Sequence, residues 1–273
     1  KFQALCERVR PDIVHMNLVH RQITLSILDA PYLKTHHVPV LFTSHDYILV
    51  CPSYVMLDGS GNVCDACLGG KFSSCLKRKC VKGSFAKSAM GTLEAEHLKL
   101  CKTYRKIDRI IAPSEFMRQK LIEGGFPARQ VVYMQNFAKQ EILNIASRGS
   151  DRTDRDDPYL LFFGRLSKEK GIDVLVDAFI AAIPSLPANV RLVIAGDGPE
   201  RQRIEEKVAS AGPCVSGRVE LAGFQRGDAL KAYVERASLA IASSRCRENM
   251  PYSIVEAFAC GTPVIGTNIG GIP

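Results

Sequence analysis

The sequence predicts an α/β chain of two doubly wound parallel-sheet domains. Two observations carry this expectation. Short apolar runs alternate with longer amphipathic stretches over most of the 273 residues, and the alternation stops and restarts around a polar stretch at 148–157, RGSDRTDRDD. Alternation of this kind is the pattern of βα units feeding a parallel sheet. Four Asp and three Arg with no large apolar side chain read as an exposed linker. The expected division is a first domain at 1–147, the linker at 148–157 and a second domain at 158–273. With 46% hydrophobic and 23% charged residues the chain is large enough for two packed cores, which excludes disorder, a collagen-like fibre and a small disulfide scaffold.

In the first domain the chain opens in what reads as the second half of a helix running into Pro11, and strands are expected at 13–15, 38–43, 110–112 and 131–134. The helix between the last two is punctuated at both ends. Ser114 is a candidate N-cap, Phe116, Leu121 and Ile122 supply apolar positions, and Gly124-Gly125 closes it. Between residues 51 and 83 the periodicity fails, so this segment is expected to be an inserted, cysteine-bearing loop. In the second domain strands are expected at 159–163, 190–195, 218–221, 239–242 and 263–266, alternating with helices at 172–183, 200–211, 228–237 and 252–260. The ends read as those of a fragment, with no initiating Met and a stop at Pro273 directly after a Gly-Gly turn.

No apolar stretch approaches the roughly 20 residues of a membrane span. The mixed residues 1–10 are unlike a signal peptide, so a cytoplasmic location is expected. The net charge of +8 is unevenly placed: residues 1–150 hold 21 Lys and Arg against 12 Asp and Glu, and residues 151–273 hold 15 against 16. Between residues 71 and 110, 11 basic residues face 3 acidic ones, which is either a solvated basic face or a field suited to an anionic partner such as the inner surface of a membrane.

Ligands of doubly wound sheets bind beyond the carboxyl ends of the strands. After the first strand of the second domain comes Gly164-Arg165-Leu166-Ser167-Lys168-Glu169-Lys170-Gly171, where glycines bracket a loop and cations converge at a helix start that favours anions. The pattern suits a diphosphate, the alternative being an ordinary strand-to-helix loop with surface cations. No GxxxxGK[ST] occurs, and Gly196-Asp197-Gly198 is followed by Arg201 where a dinucleotide fingerprint has its third glycine, which disfavours a nicotinamide enzyme. The loop after residue 242 runs from Ser243 to Pro251. It holds Glu248, while Glu256 falls in the second turn of the next helix, so carboxylates from two depths face one crevice and accept hydrogen bonds from sugar hydroxyls. The backbone N–H groups of Asn249 and Met250 lie beside the same helix start. Alone, two glutamates at this spacing carry almost no signal and read as surface residues.

The surrounding strings resemble the family-4 retaining glycosyltransferases of GT-B fold, which have two Rossmann-like domains facing a cleft. The resemblance is carried by FFGRLSKEKGIDVLVDAF (162–179), LVIAGDGPE (192–200), VELAGF (219–224) and ENMPYSIVEAFACGTPVIGTNIGGIP (248–273). In the first half it is carried by PDIVHMN (11–17), FTSHDYILVCP (42–52), DRIIAPSEFMRQKLIEGGF (108–126) and QNF (135–137). It implies transfer of a sugar from a nucleotide-diphosphate donor to a hydroxyl acceptor in polysaccharide, lipopolysaccharide or glycolipid synthesis, with no cofactor or divalent ion required. It also implies that Arg165 and Lys170 neutralise the diphosphate beside Gly164. Glu248 of the E-x7-E motif would touch the transferred sugar, with Asn249 and Met250 at hand. Glu256 would hold the ribose hydroxyls, Leu221 and Phe224 would flank the base, and His45 would lean toward the donor sugar. By itself a histidine at a strand end is more often a turn residue. The family's glycine-rich acceptor loop would precede Lys1, and its final helices would follow Pro273.

Two other readings stay open. A nucleotide-sugar epimerase would share the fold, and a nucleic-acid-binding module could be built on the basic, cysteine-rich segment 51–110, but only Phe72, Phe85 and Tyr104 are available there for stacking, so no nucleic acid is expected as a partner. Ten cysteines are many for such a chain. Five of them, Cys51, Cys64, Cys67, Cys75 and Cys80, fall in the insert as C-x12-C-x2-C-x7-C-x4-C. The Cys64/Cys67 pair has zinc-ligand spacing, so a structural zinc, reduced thiols and disulfides are the alternatives. The remaining Cys6, Cys101, Cys214, Cys246 and Cys260 read as isolated small apolar residues.

Overall fold

The computed structural model describes residues 1–19, 23–138 and 157–273, and all of the expected linker except Asp157 lies outside the described residues. The chain divides into two compact units, Lys1–Gln135 and Asn136–Pro273.

In the first unit β1 (Val14–Asn17), β2 (Val40–Thr43), β3 (Arg109–Ala112) and β4 (Val131–Tyr133) lie side by side in that order, all parallel. Strand β2 starts two residues later than its apolar run because Pro39 has no N–H to donate, and the Val40 N–H is taken by Asp108 Oδ2 at 2.7 Å. The opening helix α1 (Phe2–Val9) ends at Arg10 with φ 51°, just ahead of Pro11. A second short helix, α2 (Pro31–Thr35), precedes β2. Three further helices are α3 (Ser73–Lys77), α4 (Phe85–Leu100) and α5 (Glu115–Glu123). Helix α5 begins as its sequence dictates, with Ser114 Oγ accepting from the Met117 N–H at 3.0 Å, and Met117 and Leu121 fully buried.

Helix α4 inverts the usual polarity. Its inward positions Ser88 and Thr92 are buried, whereas Met90, Leu93 and Leu100 are exposed. The buried hydroxyls serve the insert's backbone: Ser88 Oγ accepts from the Val81 N–H at 3.0 Å and Thr92 Oγ1 donates to the Phe72 carbonyl at 3.3 Å. The insert itself is irregular, holding α3, a 3-10 turn at Leu68–Gly70 and one isolated bridge between Leu57 and Val63.

In the second unit β5 (Tyr159–Phe163), β6 (Arg191–Ala195), β7 (Val219–Gly223), β8 (Leu239–Ala242) and β9 (Val264–Gly266) form a parallel sheet of order β7-β6-β5-β8-β9. Its helices are α6 (Ile172–Ala182), α7 (Arg201–Ser210), α8 (Pro213–Ser216), α9 (Gly227–Arg236) and α10 (Tyr252–Ala259). Strand residues alternate between two cores, as the two-residue period requires. Leu160 and Phe162 pack with Ile172, Val176 and Ile204 of α6 and α7. Tyr159, Leu161 and Phe163 pack with Val234 of α9 and Ala257 of α10. Both faces are therefore covered, which is why the strands read as unbroken apolar runs.

Among the described residues no helix is long and apolar enough to cross a membrane. Cys6, Cys246 and Cys260 are buried, as small apolar residues should be, but Cys101 and Cys214 are exposed, so burial does not explain that pair. Of the aromatic residues considered for base stacking, Phe72 is buried and Tyr104 packs on the Phe126 ring at 5.7 Å.

Leu161 is fully enclosed at the middle of β5. Leu161→Ala is expected to cost about 2–5 kcal/mol of stability, read as a lowered denaturant midpoint at unchanged slope; a loss below about 1 kcal/mol would contradict its central packing.

Candidate functional site

The chain runs from β5 outward to β6 and β7, then returns to the other side of β5 to form β8. At such a reversal the connections leave in opposite directions and open a crevice beyond the carboxyl ends of the strands. The loops that follow β5 and β8, the two singled out by their chemistry, meet there.

They meet through backbone. Gly171 has φ 64°, and a Cβ on it would stand 2.1 Å from the Ser243 carbonyl oxygen; in the loop after β6, one on Gly196 would stand 1.9 Å from that of Gly164. No side chain fits at either contact. Hydrogen bonds join the loops, the Arg245 N–H donating to the Glu169 carbonyl at 2.8 Å and Ser243 Oγ donating to the Lys170 carbonyl at 2.9 Å. The Leu166 N–H donates to the Asp197 carbonyl at 2.9 Å and ties in the loop after β6.

Beyond these ends lies a cavity of about 750 Å³ lined by Gly164, Arg165, Phe224, Gln225, Ser253 and Glu256, with the 196–198 turn along one side. Its size is that of a pocket for a nucleotide-sized ligand, typically about 300–1,000 Å³. Arg165 and Glu256, from different elements, thus share one pocket.

Lys170 and Glu248 are joined directly, Nζ to Oε1, at 2.6 Å, with side chains 31% and 14% exposed. The same oxygen accepts from Ser244 Oγ at 2.7 Å and faces the Cys246 sulfur at 3.7 Å. Burial first, and then the neighbouring Glu248 charge, push the Cys246 thiol up to about 12, which leaves it protonated as a donor. Thr267 Oγ1 donates to the Ser244 carbonyl at 2.7 Å, and the Gly271 N–H donates to the Glu248 carbonyl at 2.7 Å. Serines 243 and 244 and Thr267 thus fix both charged groups. Sequence reasoning missed them, for hydroxyls at strand ends carry no distinguishing signal.

Other expected residues are placed as follows. Phe224 lines the cavity and is 71% exposed. Leu221 pairs with Ile194 inside β7 and packs against the α6–α7 core, so its side chain is part of the sheet's packing and absent from the cavity lining. Asn249 is buried. The Met250 carbonyl accepts from Asn136 Nδ2 at 3.0 Å.

His45 follows β2 in the first unit. Its Nε2 lies 2.9 Å from Asn17 Oδ1 at the end of β1, and the neighbouring His15 Nε2 lies 2.7 Å from Thr43 Oγ1. Burial lowers the His45 pKa from its ordinary 6.5; Asp46 opposes this and His15 adds to it. Among the described residues no group of three or more His, Cys, Asp or Glu side chains stands in metal-holding geometry.

Fold and crevice together define a chain of two parallel-sheet α/β units with a ligand-sized pocket beyond the strand ends of the second, and the comparisons give its family. The sequence model described as "Glycosyl transferases group 1" matches residues 157–273. That described as "Glycosyltransferase Family 4" matches residues 1–139, half of the chain, and the chain belongs to this family. It is 36% identical over 141 residues to an uncharacterized glycosyltransferase of Methanocaldococcus jannaschii, covering 50% of this chain and 33% of that one. It is 29% identical over 180 residues to the lipopolysaccharide 1,2-N-acetylglucosaminetransferase of Salmonella typhimurium, covering 60% of this chain and 45% of that one. The chain therefore spans less than half the length of these two relatives. The crystal structure of Anabaena Alr3699/HepE in complex with UDP superimposes with a TM-score of 0.62 at 17% identity, covering 99% of this chain and 64% of that one. That likeness is one of fold, two parallel-sheet α/β domains of the GT-B kind. Neither a nucleic-acid module nor an epimerase is favoured by these relatives.

Two outcomes follow from this geometry. Gly171→Ala forces a Cβ into the Ser243 carbonyl at a positive φ and is expected to cost about 1–3 kcal/mol, measured by thermal unfolding. His45 binds its proton less tightly in the folded than in the unfolded chain. The stability it contributes is thus present above pH 6.5 and is lost as the pH falls from there through the folded value. An NMR titration assigned with His45→Gln should give an inflection below 6.5; one above it would contradict the buried, neutral imidazole.

Proposed function

We propose that the chain carries the donor-binding and transfer machinery of a retaining glycosyltransferase, moving a sugar from a nucleotide-diphosphate donor to a hydroxyl acceptor. The observation that carries this reading is the cavity of about 750 Å³ beyond β5, in which Arg165 and Glu256 share one wall system while Lys170 and Glu248 are paired in the loops that continue from it.

In this reading Arg165 and Lys170 receive the diphosphate beside Gly164, where a side chain would obstruct the approach. Glu256 accepts from the ribose hydroxyls. Phe224, the exposed aromatic of the cavity, and the Leu221 backbone flank the base. Glu248 accepts from hydroxyls of the transferred sugar, assisted by the N–H groups of Asn249 and Met250, the E-x7-E arrangement. His45, held neutral, donates to or accepts from the sugar rather than competing with the cations for the phosphates.

Breaking the bond between the anomeric carbon and the phosphate oxygen develops positive charge on the sugar and negative charge on the leaving diphosphate. Cations fixed beforehand lower the barrier most where that charge grows. A retaining glycosidase instead needs a carboxylate nucleophile about 5 Å from its acid partner. Glu248 is engaged by Lys170 and Ser244, which argues against a nucleophilic role. Front-face displacement follows: the acceptor oxygen bonds to the anomeric carbon on the face the diphosphate leaves, and the acceptor proton passes to the departing phosphate oxygen. No metal or cofactor enters these steps.

The acceptor class is a hydroxyl compound of polysaccharide, lipopolysaccharide or glycolipid synthesis, in line with the name of the Salmonella relative. The basic residues between 71 and 110 suit a lipid-linked acceptor at the cytoplasmic face of a membrane.

The Lys170–Glu248 pair gives the test. With UDP-, GDP- and ADP-sugars as probes, Lys170→Ala is expected to lower donor affinity by about tenfold or more and turnover by roughly a hundred- to a thousandfold. Lys168→Ala, on the same turn, should change both less than about twofold. Equal behaviour of the two variants in calorimetry and in sugar-transfer assays would sink the assignment.

A further inference from the structure

The transfer reading leaves the insert's cysteines unused, yet the fold gathers them. Cys51, Cys64, Cys67 and Cys80 border a single void of about 10 Å³, closed by Val50, Met56 and Leu68. A volume of that order admits about one water-sized sphere. The four residues are spaced C-x12-C-x2-C-x12-C, and the central pair sits on a tight turn in which the Leu68 N–H donates to the Asp65 carbonyl at 3.1 Å. Cys75 is fully buried but does not border the void. None of the ten cysteines is disulfide-bonded.

The insert joins the first unit's main core through Cys51, Met56 and Leu68, and the rest of it has little apolar packing of its own. Its satellite core consists of Cys67, Phe72 and Cys75, with partly buried Cys80, Val81 and Ala95 against it. Tyr54, Met56, Lys79 and Lys82 have φ between 49° and 59°, a conformation that costs non-glycine residues free energy. A core this small offsets little of the entropy of ordering such a segment, whereas an ion joining four points along it does so directly. The surroundings suit a thiolate set. Arg78 Nη1 stands 3.7 Å from Cys64 Sγ, a positive neighbour for a site of net negative charge.

We propose that Cys51, Cys64, Cys67 and Cys80 form a tetrathiolate site for one structural zinc ion. As they lie, the thiols surround the void without converging in ligating geometry; binding turns them inward to tetrahedral Zn–S distances of about 2.3 Å. Each ligating thiol gives up its proton as its sulfur bonds to the ion. The site stands independently of the sugar-transfer reading.

The chain, purified without chelator and dialysed, is expected to hold about one zinc by elemental analysis. Cys67→Ser should lose it and Cys75→Ser should keep it. Since Cys67→Ser could fail to fold, the wild-type chain supplies a second readout: stripped of zinc and given cobalt, it should develop the visible bands of tetrahedral cobalt thiolate, which zinc then bleaches. The proposal is overturned if the wild-type chain takes up neither metal, if Cys75→Ser loses zinc as completely as Cys67→Ser, or if the site holds iron with acid-labile sulfide instead.

Discussion

The site depends on a backbone contact that tolerates no side chain. Strand order reverses between β5 and β8, but a reversal alone only separates two connections. Here the β5 and β8 connections are pressed together, Gly171 onto the Ser243 carbonyl, and the loop after β6 is pressed onto that after β5, Gly196 onto the Gly164 carbonyl. The consequence is geometric. Arg165, Lys170 and Glu248 lie on loops, ordinarily the least precise places for functional groups, yet each loop is fixed against its neighbour by backbone hydrogen bonds as a strand would be. Charges carried on loops hold their positions only if the loops do, and this contact fixes the loops.

The same contact explains the charge pairing. Lys170 and Glu248 are 78 residues apart in sequence and become neighbours because their loops touch. Each neutralises the other, and Ser244 Oγ and the Cys246 thiol donate to the same Glu248 oxygen. An unpaired cation and carboxylate at this depth would each carry a desolvation cost. Pairing offsets part of it with each group still on its own loop. Under the proposed transfer reading, a diphosphate takes the place of Glu248 on Lys170, and the released Glu248 oxygen accepts from a sugar hydroxyl.

What could be read from the sequence follows from which physical signal each part carries. Strands β5 to β9 begin or end within two residues of their expected bounds, because strands buried on both faces are written as apolar runs flanked by Gly or Pro. Helix α5 was equally legible through Ser114 and the Gly124-Gly125 stop. Helix α4 was not, since its buried positions are Ser88 and Thr92 and its exposed ones Met90 and Leu93, an arrangement that carries no inward apolar stripe. In the site, the types and order of Arg165, Lys170, Glu248 and Glu256 were legible as motif strings. The neighbours that hold them, Ser243, Ser244 and Thr267, were not, because a hydroxyl's partner is decided by which loops meet. Leu221 shows the opposite limit: a motif position is a place on the backbone, and its side chain belongs to the core.

The two units solve the positioning problem differently. Among its described strands the first unit runs β1-β2-β3-β4 without reversal, so no crevice arises from strand order, and His45 must be fixed by other means. One is Asn17, at the end of the neighbouring strand. The other is the insert, which starts only six residues beyond His45. The Tyr47 N–H donates to the Tyr54 carbonyl at 3.0 Å, and the Cys51 N–H returns to the Tyr47 carbonyl at 2.8 Å. Tyr47, Leu49 and Val50 are buried in the unit's core. The segment after His45 is thus clamped between the core and the first turn of the insert. Whatever orders the insert orders this clamp as well, so a cross-link among its cysteines acts on the position of the histidine loop through two backbone hydrogen bonds, with no side chain of the insert touching the imidazole being required.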